Sequence, residues 1–180
     1  DYPGLGVEVR YDCAGHPAIA RALVEAGEKG GIRVGSATRG VDSGISVPLH
    51  FLVPSAAIPV VPLSVGAQSV AECRRWGAVA RATIESRPER VAIVVGGFLA
   101  ADFHAWEMKR DVPGSRHYDA GVLDALARGT WDDLVALDPA LAAIAHPDVA
   151  LRHLEFLRGF LTADVAGEVL CYERAPGIGA

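Results

Sequence analysis

Residues 90–97, "RVAIVVGG", constrain the fold of this chain more than any other stretch. They are apolar and mostly branched, with no polar alternation, and they end in two glycines. That is the pattern of a strand covered by helices on both faces. The flanking sequence supplies candidate helices. Pro17 stands early in a helix whose apolar positions Ile19, Ala20, Leu23 and Val24 recur at helical spacing, and Gly27, Gly30 and Gly31 end it. A short strand, "IRVG", follows. Residues 56–65, "AAIPVVPLSV", form an apolar run too short for a helix and rich in branched residues, which predicts a strand with Pro59 and Pro62 near its ends or on a less paired side. A helix is predicted over 69–86, with Val70, Cys73, Gly77, Ala80 and Ile84 on one face. The last third reads as three short helices broken at Gly129–Thr130, Asp138–Pro139 and His146–Pro147, before the strand "GEVLCYER". Strand and helix alternation of this kind predicts one α/β domain over residues 1–180: three layers, with a largely parallel or mixed central sheet and helices on both faces.

Charge and length narrow the function classes. A net charge of −5 over 180 residues, with scattered arginines, disfavours nucleic acid as a partner. No apolar run reaches the roughly 18 residues that span a bilayer, and no leader pattern is present, so the expected location is cytoplasmic, without a membrane partner. Cys13, Cys73 and Cys171 are odd in number and far apart. That argues against a disulfide framework or a zinc knuckle and for three reduced, mostly buried thiols.

In a sheet covered by helices, functional groups collect in loops at strand ends. The candidate loops are Arg39–Gly44 and Gly96–His104. Gly96 and Gly97 permit either a sharp turn or close approach of the backbone to a ligand. They are no phosphate loop, because no lysine follows at the required spacing. His104 lies two residues after Asp102, where a carboxylate could fix the imidazole tautomer; a surface histidine fits equally well. His153 falls on the apolar stripe Val149, His153, Phe156 and Phe160, so its ring nitrogens need a partner, whether a hydrogen bond or a metal. Asp148 follows a corner at His146–Pro147 as a helix cap or a metal ligand. His50, inside "VPLHFL", reads as buried and bonded to backbone. No nucleophile elbow, HExxH motif, dinucleotide fingerprint or acid pair is present.

The stretch "DSGISVPL", followed by "IPVVPLSV", resembles the "DHGxxVPL" and "PVVPLS" segments of the class III extradiol ring-cleavage dioxygenases, the superfamily named after the catalytic B subunit of protocatechuate 4,5-dioxygenase. The likeness continues in order along the chain. "DYPGLGVEVRYDCAGHPAIARAL", "RVAIVVGG", "YDAGVLDALARGTWDDLVALDP" and the closing "EVLCYERAPGIGA" each resemble a family segment. The resemblance implies Fe(II)-dependent opening of a catechol- or aminophenol-type ring, with a small aromatic molecule and dioxygen as substrates and a homo- or hetero-oligomeric enzyme. Fe(II) would be held by two histidines and a carboxylate or a third histidine, with open positions for substrate and oxygen.

Carried over residue by residue, the resemblance makes His104, Ser43 and Asp42 the catalytic candidates. Gly44, Gly97 and Ala100 become the candidates against substrate, and His153 or Asp148 the metal ligand, with "ALRHLEFL" favouring His153. The family's first two metal-ligand histidines lie in segments before the equivalent of Asp1, so those ligands fall outside this sequence. Ser43 stands where the family has the histidine of "DHG", and Ala100 where it has the histidine of "GGLSH". Neither side chain relays protons near neutral pH. The same resemblance therefore implies a second possibility: a non-catalytic partner with a degenerate metal site, similar to the α subunit of 2-aminophenol 1,6-dioxygenase.

Overall fold

A computed structural model describes residues 11–38, 40–66 and 68–180. The opening "DYPGLGVEVR" and Arg39, the first residue of one candidate loop, lie outside them. The chain divides into two compact units, Asp1–Ser64 and Val65–Ala180.

The first unit contains helices α1 (Pro17–Lys29) and α2 (Ser43–Leu52). Pro17 starts α1, where a missing N–H costs nothing, and His16 Nδ1 accepts from the Ile19 amide at 3.3 Å. Gly31, at φ +66, lets the chain leave the helix. Ile19, Leu23, Ile32 and Leu49 are its buried apolar side chains. Val60 donates its N–H to Ala14 at 2.8 Å in a single parallel bridge, and Tyr11 donates to the Val53 carbonyl at 2.8 Å. The run "VPLHFL" does not anchor in a core. It forms residues 47–52 of α2, where Leu49 is buried while Val47, His50, Phe51 and Leu52 are exposed.

The second unit is helical: α3 (Val70–Glu85), α4 (Phe103–Glu107), α5 (Pro113–Arg128), α6 (Pro139–Ala145) and α7 (Arg152–Leu161), with 3₁₀ turns at Trp131–Leu134 and Asp148–Leu151. Local chemistry sets their ends. Ser69 and Glu72 form a reciprocal capping box on α3. Gly129, at φ +71, terminates α5, and Asp138 accepts from the Ala140 amide to start α6. Helices α3 and α7 pack backbone to backbone: a Cβ on Gly77 would collide with the Phe156 carbonyl, and one on Gly159 with the Arg74 carbonyl. Buried Glu155 of α7 accepts from Arg74 Nε at 2.8 Å, and Arg81 donates to the Phe160 carbonyl at 3.1 Å. The core below is made by Leu99, Ala100, Tyr118, Val122, Ala125, Trp131, Leu134, Ala145, Leu151 and Leu154.

These helices do not surround a central sheet. Among the described residues the only ladder is a two-stranded antiparallel hairpin, β1 (Arg174–Ala175) and β2 (Ile178–Gly179). The three-layer α/β expectation is therefore overturned. "RVAIVVGG" forms no ladder; Val91 is 38% and Val94 52% exposed, while Ile93 and Val95 are half-buried. "GEVLCYER" joins the hairpin only at its last residue, and Leu170 is 85% exposed. Branched apolar composition reports a segment's tendency to pair and be buried. A strand also needs a neighbour: among the described residues no ladder partner runs beside "RVAIVVGG", and "GEVLCYER" meets one only at Glu173 and Arg174, beside Gly179 and Ala180. The thiols are free, as expected, but only Cys73 is buried.

Candidate functional site

Residues 97–102 of the second unit lie between α6 and the C-terminal hairpin. Leu99 N–H donates to the Gly179 carbonyl at 2.9 Å, Gly179 N–H to Ala100 at 3.0 Å, and Asp102 N–H to Gly177 at 2.9 Å. On the other side, Ala101 N–H donates to Ala145 at 2.9 Å and Asp148 N–H to the Phe98 carbonyl at 3.3 Å. The segment is thus clamped along both edges. Gly177 must be glycine on two counts: φ is +74, and a Cβ would stand 2.5 Å from the Asp102 carbonyl.

His153 of α7 lies on this segment. A Cβ on Gly97 would stand 2.6 Å from His153 Cε1 and 2.7 Å from Nε2, so the imidazole rests directly on the glycine backbone. The residue is 6% exposed, and its Nδ1 is buried with no hydrogen-bond partner among the described residues. Burial holds its pKa below the ordinary histidine value, and the negative charge of Asp148 only partly opposes this. The ring is consequently a neutral imidazole at neutral pH. A buried nitrogen of this kind needs a partner, whether a water, a metal or a substrate group.

The turn that delivers His153 is unusual. Val149, Ala150 and Leu151 have φ of 42, 52 and 56°, three consecutive non-glycine residues in the left-handed region. Each costs on the order of 1–2 kcal/mol, most for branched Val149. The strained turn ends at Leu151, two residues before His153, so it sets where α7 begins and where the imidazole is delivered. Half-buried Asp148 begins this turn, and no side-chain cap is made there.

The structure therefore brings together Gly97, Asp148 and His153, with Ala100 on the same clamped segment. Ala100 has no exposure and its methyl belongs to the core. His104 stands apart, exposed on α4, and the Asp102 carboxylate accepts from the Ala105 amide at 2.9 Å as the cap of that helix. Asp42 and Ser43 open α2 in the first unit, both exposed, with Gly44 beside the Asp42 carboxylate.

Sequence reasoning missed Asp119, Tyr172 and Arg174. Asp119 of α5 has no exposure, and Tyr172 donates to its Oδ2 at 2.6 Å. Both residues lie in segments whose family likeness is visible, "YDAGVL" and "LCYER". Their pairing across 53 positions is not readable from either segment alone. A separate cleft of about 1120 Å³ is lined by Arg74, Arg75, Asp132, Arg158 and Asp164, among others. Arg158 is already paired with Asp132 and Asp164 there.

The described residues contain no group of three His, Cys, Asp or Glu side chains placed to hold a metal. The open nitrogen of a buried neutral imidazole can either ligate a metal or exchange a proton, not both at once; as a ligand it would have Asp148 near it, and two donors fall short of a complete mononuclear site.

This clamped glycine segment under a buried histidine is found in a chain that belongs to the family described as the catalytic LigB subunit of aromatic ring-opening dioxygenase, matched over residues 1–180. The class inferred from the ordered motifs is thereby established. The chain is also similar to dioxygenase tasH of Hapsidospora irregularis, at 33% identity over 133 residues, which is 71% of this chain and 40% of that protein. It spans less than half of that curated relative. Among the described residues no helix is long and apolar enough to cross a membrane.

Proposed function

We propose that this chain forms one wall of the active centre of an aromatic ring-opening dioxygenase, acting on a catechol- or aminophenol-type ring with dioxygen and Fe(II). The observation that carries this reading is His153: a buried, neutral imidazole with an unpartnered nitrogen, seated on the Gly97 backbone. Family membership supplies the reaction class.

The donors among the described residues do not complete an iron site. The chain's own contribution is to hold His153 neutral and immobile. A neutral imidazole can accept a proton from a phenolic hydroxyl as the ring binds and return it later, which is general acid–base work at neutral pH. Burial of the ring favours its uncharged form. Bare backbone at Gly97 leaves the ring space on a rigid floor. Family membership supports Fe(II) as the metal, and an oligomeric enzyme remains part of this proposal.

The test is anaerobic reconstitution of the natural protein with Fe(II), elemental analysis for iron, and dioxygen uptake across a panel of catechols and aminophenols. Iron retention with ring-dependent uptake supports the reading. Absence of both in a folded, reconstituted protein contradicts it.

A second reading is favoured by one feature: the places of two family histidines are taken by exposed Ser43 and by Ala100, whose methyl is packed in the core. A non-catalytic subunit paired with an active partner would show this pattern. It predicts co-purification with a longer chain of the same family that retains the iron. Ring-opening activity by the isolated protein would exclude it.

A further inference from the structure

Asp119 is the most deeply buried charged side chain among the described residues. Desolvating a carboxylate costs several kcal/mol, and an apolar side chain of similar shape would serve packing better. The groups around it suggest what this burial accomplishes. Tyr172 donates to Oδ2 at 2.6 Å, and Arg174 Nε stands 4.0 Å from the same oxygen while Arg174 Nη2 donates to Ser115 Oγ at 2.9 Å. The Gly179 backbone presses on the carboxylate so closely that a Cβ there would collide with Oδ2. Gly179 in turn holds Leu99 and Ala100 through a reciprocal pair of backbone hydrogen bonds, at 2.9 and 3.0 Å. The residues just before Leu99 are Phe98, bonded to Asp148, and Gly97, the seat of His153.

We propose that Asp119 is a positioning residue: it fixes the register of Leu99–Asp102 against the C-terminal hairpin and so sets where His153 rests on Gly97. Its catalytic consequence rests on the role given to His153 above; the positional claim stands without it. A mispaired hairpin would carry the clamped segment with it, because every link from the carboxylate to Gly97 is either a tight backbone contact or a backbone hydrogen bond. Charge supports the same picture. Burial pushes the Asp119 carboxyl up, while the Tyr172 hydroxyl, the Arg174 guanidinium and the Ala100 amide oppose the rise. Burial and the bond to Asp119 both push the Tyr172 phenol up, so the shared proton stays on tyrosine. Asp119 Oδ1 and Arg174 Nε have no hydrogen-bond partner among the described residues, so the Tyr172 bond and the Gly179 contact at Oδ2 are what hold the carboxylate in this arrangement.

The experiment uses the whole chain labelled with ¹⁵N-histidine, in wild-type form and as Asp119→Asn and Tyr172→Phe. The two variants weaken the same bond from opposite sides, one removing the charge and the other the donor, so either one that folds tests the proposal. The His153 imidazole signals are assigned by their loss in His153→Gln. The expected result is that each folded variant shifts the His153 signals in the same direction, while those of His16 and His50 in the other unit stay in place. In the ring-opening assay the same variants lower kcat by about tenfold to hundredfold with little change in KM. Wild-type His153 signals in a folded variant would overturn the proposal. A wild-type chain without ring-opening activity would instead count against the functional reading, and the shift in the His153 signals would still be measurable.

Discussion

Gly97 has no side chain at the place where the His153 imidazole lies: a Cβ would stand 2.6 Å from Cε1 and 3.0 Å from Cδ2. The two residues come from distant parts of the chain, and their contact is the centre of the candidate site. Gly97→Ala must displace either the ring or the clamped segment. Overpacking of this kind costs about 1–3 kcal/mol. A displaced ring lowers turnover by on the order of a hundredfold. Urea unfolding and Fe(II)-reconstituted turnover check both effects, and a variant with wild-type stability would show that the ring is free to move aside.

His153 also predicts a pH effect on stability. Burial lowers its folded-state pKa below that of the unfolded chain, so the unfolded state takes up the proton first as pH falls. The contribution is present above the unfolded value of about 6.5 and is lost as pH falls through the lower folded value. His153→Gln lacks this titration. The stability difference between wild type and His153→Gln should shift against wild type between about pH 8 and about pH 5, in metal-free buffer. A difference that stays constant with pH would mean that the imidazole is not desolvated.

Helix α7, which carries His153, is tied to α3 by the Arg74–Glu155 pair at 2.8 Å, with Glu155 5% and Arg74 40% exposed. Arg74→Ala leaves a buried carboxylate unpaired and should cost about 2 kcal/mol, less than a fully buried pair because Arg74 is partly solvated. Arg74→Met combined with Glu155→Leu should recover most of that loss. Thermal unfolding of the single and double variants decides it; additive losses would show that the pair is not coupled.

Helices were legible in the sequence because their signals are local. Pro17 at the start of α1, the Ser69–Glu72 box and Gly129 after α5 each act within a few residues of where they stand. Strands were not legible in the same way. "RVAIVVGG" carries the composition of a buried strand, but a ladder depends on a second segment, and exposed Val94 and Leu170 show that composition alone did not supply one. The apolar end of α2 misled for a similar reason: Phe51 is 76% exposed despite its neighbours.

At the site, the apolar stripe around His153 was readable, and so was the conformational freedom of Gly97. That one explains the other was not, since nothing in the spacing places them together. The left-handed turn at Val149–Leu151 was invisible because it contains no glycine. Nothing local marks Asp119, because its partners Tyr172 and Gly179 lie more than fifty residues away.

The central claim is that His153 acts on the reacting ring. The most direct measurement is catechol-dependent dioxygen uptake by Fe(II)-reconstituted wild type and His153→Ala, with folding of both confirmed by circular dichroism. The account predicts uptake in the wild type and a loss of about a hundredfold or more in the variant, the range expected for removal of an acid–base group. Equal uptake by the two proteins would contradict it.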